Sequence, residues 1–331
     1  MKKLVVAVTR EIPDEGLALL RKDKRLSVKV YGEDRAIPRK ELLRFVKGAD
    51  IILSILTERM DKEAFDAAGP QLKMVANYAV GFDNIDLKEA AKRGLVVTNA
   101  AHPNVSETVA EHAIALMFAL AHRVVEVDAF TRAGKYRAWG PKMFLGTDMI
   151  GKTIGVVGAG AIGQAIVRRL YDGFGMDVLY ADMKRNPTLE ARSKARFVTL
   201  PELLKKSDFV SLHVPLLPST RHLIGAKELK MMKKTAFLIN TARGPVVDEK
   251  ALLAALTKGE IAGAGLDVYE CEPAIDCDLT DTLELRKMRN VVLTPHTASA
   301  TVETRQAMSR TAAENILAFV NGKKPPNMVK T

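Results

Sequence analysis

Short apolar runs alternate along the chain with stretches of helical spacing. Near the amino terminus, Leu4 to Val8, Ile51 to Leu56, Met74 to Ala76 and Leu95 to Val97 read as buried strands, and Asp14 to Lys22, Arg39 to Val46 and Leu87 to Arg93 as helices. The pattern resumes at Lys152, with strands expected at Ile154 to Val157, Val178 to Ala181, Phe197-Val198, Phe209 to His213, Phe237 to Asn240, Gly265 to Val268 and Val291 to Leu293. Strands with an apolar face on both sides, each followed by a helix, predict a parallel sheet covered above and below. Between the two series, Asn104-Val105-Ser106-Glu107 has the form of a capping box and predicts a long helix through Val109, Ile114, Met117 and Leu120 to Thr131. After Pro295 a last amphipathic helix is expected, with Met308, Ile316, Leu317 and Phe319 inward, ended by Asn321-Gly322 and Pro325-Pro326. It is expected to return to the first lobe.

The fold class is therefore α/β, with two doubly wound parallel-sheet domains. Residues 1–101 with 297–331 are expected to form one discontinuous domain, and residues 102–296 the other. A chain of 331 residues suits two domains of ordinary size.

Composition narrows the function. Apolar residues at 47% and charged residues at 27% describe a globular protein. The formal charge of +11 is dispersed among acidic neighbours, as in Lys62-Glu63, so no nucleic-acid partner is expected. Leu4 to Val8 is too short for a signal peptide and Ala113 to Ala121 too short for a bilayer span, so no membrane is expected either. Cys271 and Cys277 lack paired CxxC spacing and read as reduced thiols of a cytoplasmic protein. His102, His112, His122, His213 and His222 show no ligand spacing, so no metal site is expected.

Gly158-Ala159-Gly160-Ala161-Ile162-Gly163 is a GxGxxG pattern between a buried strand and a helical segment. That context gives it a mechanism. Gly158 permits the tight turn, Gly160 lets backbone approach a pyrophosphate, and Gly163 lets helix pack on strand, with the helix amino terminus facing the phosphate charge. A second strand ends at Asp182, where a carboxylate accepts from the ribose hydroxyls of NAD and repels the extra phosphate of NADP. NAD is therefore favoured, and NADP remains possible because Lys184 and Arg185 follow.

Three further segments, Asn240-Thr241-Ala242-Arg243-Gly244, Gly265-Leu266-Asp267-Val268-Tyr269-Glu270-Cys271-Glu272-Pro273 and Leu293-Thr294-Pro295-His296, resemble the signatures of the D-isomer-specific 2-hydroxyacid dehydrogenases. The resemblance runs nearly end to end. Thr9-Arg10-Glu11-Ile12-Pro13, the stretch Asn77 to Asp86, Phe144-Leu145-Gly146 and Gly151-Lys152-Thr153-Ile154-Gly155 look most like the glyoxylate reductase and hydroxypyruvate reductase branch. It implies that residues 1–101 and 297–331 are a flavodoxin-like substrate domain and residues 102–296 a Rossmann dinucleotide-binding domain, with a catalytic set of Arg243, Glu272 and His296. Arg243 would hold the carboxylate of a small 2-oxo acid, His296 would give the proton, and Glu272 would orient the imidazole and keep it charged. The amides of Val80 and Gly81 would also bind the substrate. Gly158, Gly160, Ala161, Ile162, Gly163, Asp182, Thr108, Val214, Pro215, Thr241, Ala242 and Asp267 would contact the dinucleotide, and the protein is expected to be a homodimer. Phosphoglycerate-type or D-lactate-type activity, or a corepressor-like NAD-sensing protein without turnover, are the competing expectations.

Overall fold

The computed structural model describes residues 2–272 and 280–330. It divides into two compact units, Met1–Val105 with Ala300–Thr331, and Ser106–Ser299. These divisions fall a few residues beyond those drawn from the sequence, at 101/102 and 296/297.

In the first unit β1 (Leu4–Val8), β2 (Leu26–Val30), β3 (Ile51–Ser54), β4 (Met74–Asn77) and β5 (Val96–Thr98) form one parallel sheet in the order β2-β1-β3-β4-β5. All four residues of both β3 and β4 are buried, as their unbroken apolar runs require. β2 is absent from the sequence expectation. As an edge strand it has only Leu26 fully buried, and the alternation Leu26-Ser27-Val28-Lys29-Val30 is its period-two signature.

The last helix, Val302–Val320, packs against Asp14–Lys22 in the same unit. The contact is close. A Cβ on Gly16 would lie 2.2 Å from the Ser309 carbonyl oxygen, and the Gly16 amide donates to Ser309 Oγ at 3.1 Å. Fully buried Asn315 donates to the Asn99 carbonyl and accepts from the Asn327 amide, tying the tail to the end of β5.

The second unit holds a seven-stranded parallel sheet of β6 (Thr153–Val157), β7 (Asp177–Ala181), β8 (Arg196–Phe197), β9 (Phe209–Leu212), β10 (Phe237–Asn240), β11 (Gly263–Leu266) and β12 (Val291–Leu293), in the order β12-β11-β10-β9-β6-β7-β8. Strand order reverses between β6 and β9, and ligands of open α/β sheets bind beyond the carboxyl ends of the strands at such a point. One apolar cluster fills the space under Leu203, Leu238 and Leu252, another the space between Leu116, Met117, Ile154 and Ile166.

The long helix expected through Thr131 is two helices. Pro103–Ala121 ends before Arg123, which adopts the left-handed conformation at φ 55°, and Val124–Arg132 follows. Apolar periodicity continues across the break, so it carries no trace of a change in one residue's backbone. Glu107 closes no capping box either; it pairs with Arg168 and Arg169 of the neighbouring helix Ala161–Phe174. Among the described residues no helix is long and apolar enough to cross a membrane, and no group of three or more His, Cys, Asp or Glu could hold a metal ion.

Candidate active site

The carboxyl ends of the second sheet collect nearly every residue singled out by the sequence in that unit. Each of β6, β7, β9, β10, β11 and β12 runs directly into one of those segments.

After β6 the three glycines differ in what they exclude. Gly158 sits at φ +96°, where a Cβ would lie 2.7 Å from the His213 carbonyl oxygen, and its amide donates to Ala181 across the sheet. A Cβ on Gly163 would come within 2.2 Å of the Gly158 carbonyl oxygen. The protein itself therefore demands glycine at both positions. At Gly160 a Cβ would meet nothing within 4 Å. Open space there is what a closely approaching phosphate group needs. Gly160 caps the helix Ala161–Phe174 with no side-chain hydrogen bond, so the first-turn amides of Ala161, Ile162 and Gly163 are left to an anionic ligand.

At the end of β7 the Asp182 carboxylate is anchored at both oxygens, by the Ala159 amide at 2.7 Å and the Met183 amide at 2.6 Å. The glycine turn and the position expected to meet the ribose are thus one hydrogen-bonded unit. Arg185 is engaged by Glu190, which also accepts from the Tyr180 hydroxyl. Residues 158–163 and Asp182 together fit a dinucleotide.

β9 leads into His213, Val214 and Pro215. His213 binds Ser211 Oγ through Nε2 at 2.8 Å, but its Nδ1 is buried without a partner among the described residues, and burial pushes the imidazole down to about 3. Beside it, after β10, Thr241 is 7% exposed and its hydroxyl is likewise unpartnered. Sequence spacing had set His213 aside as structural. Its position on the strand next to the glycine turn is a fact of sheet order.

Arg243 follows β10. Its carbonyl accepts from the Asn240 side chain at 2.9 Å, and its Nη1 donates to the Ala242 carbonyl at 2.7 Å, which orients a half-buried guanidinium at the strand end.

Asp267, after β11, is fully buried. Its Oδ1 accepts from the Thr294 hydroxyl at 2.6 Å and the Thr297 amide at 2.8 Å, and its Oδ2 from the Ala298 amide at 2.8 Å. His112, from the helix Pro103–Ala121, stands 3.4 Å from Oδ1 and shares Thr294 at 2.9 Å. Burial alone would raise this carboxyl, but the hydrogen bonds from His112, Thr294 and the two amides outweigh it and hold it below the usual carboxylate range. Asp267 therefore ties down the loop after β12. Within that loop His296 takes φ 54°, uncommon for a side chain with a Cβ, and its amide donates to the Asp267 carbonyl at 2.8 Å. His112 had been set aside with the other histidines, and no local signal connects it to a residue so distant in sequence.

The loop after β11 brings Glu272 to His296, where Glu272 Oε1 pairs with His296 Nδ1. Both side chains are about a quarter exposed. With Nδ1 engaged by a carboxylate, Nε2 is the ring nitrogen outside that pair.

Cys271, expected as a free thiol, is disulfide-bonded. Motif spacing excludes a zinc or thioredoxin-type site but says nothing about whether the folded chain brings two sulfurs together. Cys277 and Pro273 lie outside the described residues.

In the first unit, the loop after β4 presents Val80 and Gly81. Asn99 donates to the Val80 carbonyl and Asn77 to the Gly81 carbonyl, so the loop is held through its acceptors. Asn77 is itself buried between Ser54 and Asn84. Thr108 lies near the start of the helix Pro103–Ala121.

The model of the family described as "D-isomer specific 2-hydroxyacid dehydrogenase, NAD binding domain" matches residues 114–298. A glyoxylate reductase of Thermococcus gammatolerans is 49% identical over 98% of this chain and 95% of its own length. A glyoxylate reductase of Korarchaeum cryptofilum is 50% identical, with 98% and 95% covered. Among solved structures, a protein of Thermus thermophilus superposes with a TM-score of 0.90 at 41% identity, covering 99% of this chain and all of that one.

Two outcomes follow from this geometry. Gly160→Ala leaves the urea midpoint unchanged, within about 0.5 kcal/mol of stability, yet weakens NADH binding about tenfold or more, while Gly163→Ala destabilises by about 1–3 kcal/mol because its Cβ meets backbone. Undiminished NADH binding by Gly160→Ala would sink the phosphate-cradle assignment. His213 is neutral in the folded protein and titrates near 6.5 when unfolded, so the unfolded chain binds more protons between pH 3 and 6.5. Stability therefore falls as pH drops through that window, by at most about 1.4 kcal/mol per unit. Urea titrations from pH 7 to 5 should show a weaker acid dependence for His213→Gln.

Proposed function

Because the chain belongs to the D-isomer specific 2-hydroxyacid dehydrogenases, we propose that it reduces glyoxylate, and hydroxypyruvate as a second substrate, to the corresponding 2-hydroxy acid with NADH as preferred donor. The hydroxy acid has the D configuration where the product is chiral. The enzyme is an oxidoreductase that depends on a nicotinamide dinucleotide. The observation that carries the reading is the Glu272–His296 pair, set on a loop that Asp267 anchors.

Reduction of a 2-oxo acid requires a cation for the carboxylate and an acid for the oxygen that gains charge. When bound, the dinucleotide supplies the hydride that adds to the carbonyl carbon. Arg243 holds the substrate carboxylate with its guanidinium fork and polarises the carbonyl. The first unit offers the amides of Val80 and Gly81 as donors to a carboxylate. His296 Nε2 delivers the proton to the carbonyl oxygen, and Glu272, accepting from Nδ1, selects the tautomer and stabilises the cationic ring. In the oxidative direction the same nitrogen accepts the proton. Thr108, Val214, Pro215, Thr241 and Ala242 line the dinucleotide, and Asp267 acts chiefly through the His296 loop.

The preference for NADH rests on Asp182, whose carboxylate faces the ribose position, and on Arg185, which is engaged by Glu190. A homodimer is part of the proposal. It is supported by the exposed apolar side chains of Val124, Val125, Leu145 and Ile150, at 48%, 54%, 67% and 73%.

Initial rates followed by loss of NADH absorbance, with NADH and NADPH each offered against glyoxylate, hydroxypyruvate, pyruvate and phenylpyruvate, test the activity. The expected result is fastest turnover of glyoxylate with NADH, lowered in His296→Ala by about 10²- to 10⁴-fold. Binding of NADH without turnover of any oxo acid would instead indicate a sensing protein, and a pyruvate preference a lactate-type enzyme. Light scattering at micromolar concentration should give about twice the 36.2 kDa of one chain, and a single-chain mass rules the dimer out.

A further inference from the structure

Glu249, the first residue of the helix Glu249–Thr257, is a carboxylate only 5% exposed that touches none of the residues assigned above to substrate or cofactor. Its bonds run to the two sides of Glu272. Oε1 accepts from the Glu270 amide at 2.5 Å, two residues before Glu272, and Oε2 accepts from the Thr282 hydroxyl at 2.5 Å, ten residues after it. The Glu249 amide returns a bond to Glu270 Oε2 at 3.3 Å. Glu270 Oε1 meets His222 Nε2 at 2.5 Å, with Arg221 at 3.5 Å, so the second carboxylate of this pair is itself compensated.

The same stretch is fixed at Tyr269. A Cβ on Gly244 would fall 1.7 Å from the Tyr269 carbonyl oxygen, so the chain lies directly on the turn that follows Arg243. The Tyr269 hydroxyl donates to the Thr294 carbonyl at 2.8 Å, in the loop that carries His296. A buried carboxylate with both oxygens bonded, rather than an apolar residue, is what a chain segment without regular structure needs, because its own amide and hydroxyl donors must find acceptors.

We propose that Glu249 is a positioning residue that holds the 269–272 segment so that Glu272 meets His296 Nδ1, making a side chain remote from substrate necessary for the imidazole's orientation. The proposal rests on the acid–base role given to His296 and Glu272. Glu249→Gln keeps the clamp, since its Oε1 still accepts from the Glu270 amide and its Nε2 can donate to Thr282 Oγ1. Glu249→Ala removes both bonds.

Steady-state kinetics with NADH and glyoxylate, joined to proton NMR of the intact enzyme, test it. The low-field resonance of His296 Nδ1–H, assigned by its loss in Glu272→Gln, should be lost in Glu249→Ala and present in Glu249→Gln. Glu249→Ala should lower kcat about tenfold with KM for NADH changed less than about twofold, and should cost under about twofold when added to Glu272→Gln, the non-additivity expected of groups acting through one another. Thr282→Val, which removes one bond, should show the same effects in weaker form and serves if Glu249→Ala does not fold. A resonance unaltered in Glu249→Ala, or an equal loss of kcat in both backgrounds, overturns the clamp. Full activity of Glu272→Gln alone would instead overturn the acid–base reading, while the resonance still reports on Glu249.

Discussion

A single buried carboxylate organises the carboxyl end of the second sheet. Asp267 carries its charge out of water, which is tolerable only where donors converge on it. The hydroxyl of Thr294, the amides of Thr297 and Ala298, and His112 meet that need, and in doing so they pull the loop after β12 into one shape. That shape includes the left-handed backbone of His296, a conformation that costs of order 1 kcal/mol or more and persists because the surrounding bonds impose it. The placement of His296 thus depends on a buried group at the end of the neighbouring strand.

Glu272 depends on the same logic applied to the neighbouring loop. Asp267 holds the His296 side of the pair, while Glu249, Tyr269 and Gly244 hold the Glu272 side. Two buried carboxylates, each satisfied by backbone and hydroxyl donors, bring together two side chains that are themselves partly exposed. Rigid support beneath accessible functional groups is what proton transfer requires, since the imidazole must be reachable yet fixed in direction.

The cofactor end is built from backbone instead. Gly158 and Gly163 are imposed by contacts within the protein, whereas Gly160 is imposed by nothing the chain itself contains. The Ala159 amide then ties the turn to Asp182, so the glycine turn and the end of β7 are held together. Strand order makes this possible, because β6 and β7 are neighbours on one side of the switch point, while β10, β11 and β12 lead into Arg243, Glu272 and His296 on the other.

Local pattern alone was enough for the alternation of strands and helices and for the glycine turn, whereas the three segments holding Arg243, Glu272 and His296 stood out by their resemblance to a family. Each depends on neighbours in sequence: hydrophobic period, turn stereochemistry, or a motif a few residues long. The edge strand Leu26–Val30 was written in its alternation but is too little buried to stand out as an apolar run. Tertiary structure decided the rest. The break at Arg123, the recruitment of His112 to Asp267, the orphaned Nδ1 of His213 and the clamp at Glu249 all depend on residues far apart in sequence, or on one residue's backbone angle, and neither leaves a periodic trace. Packing and hydrogen-bond satisfaction are properties of what the fold brings together, so they appear only once the strands are in order.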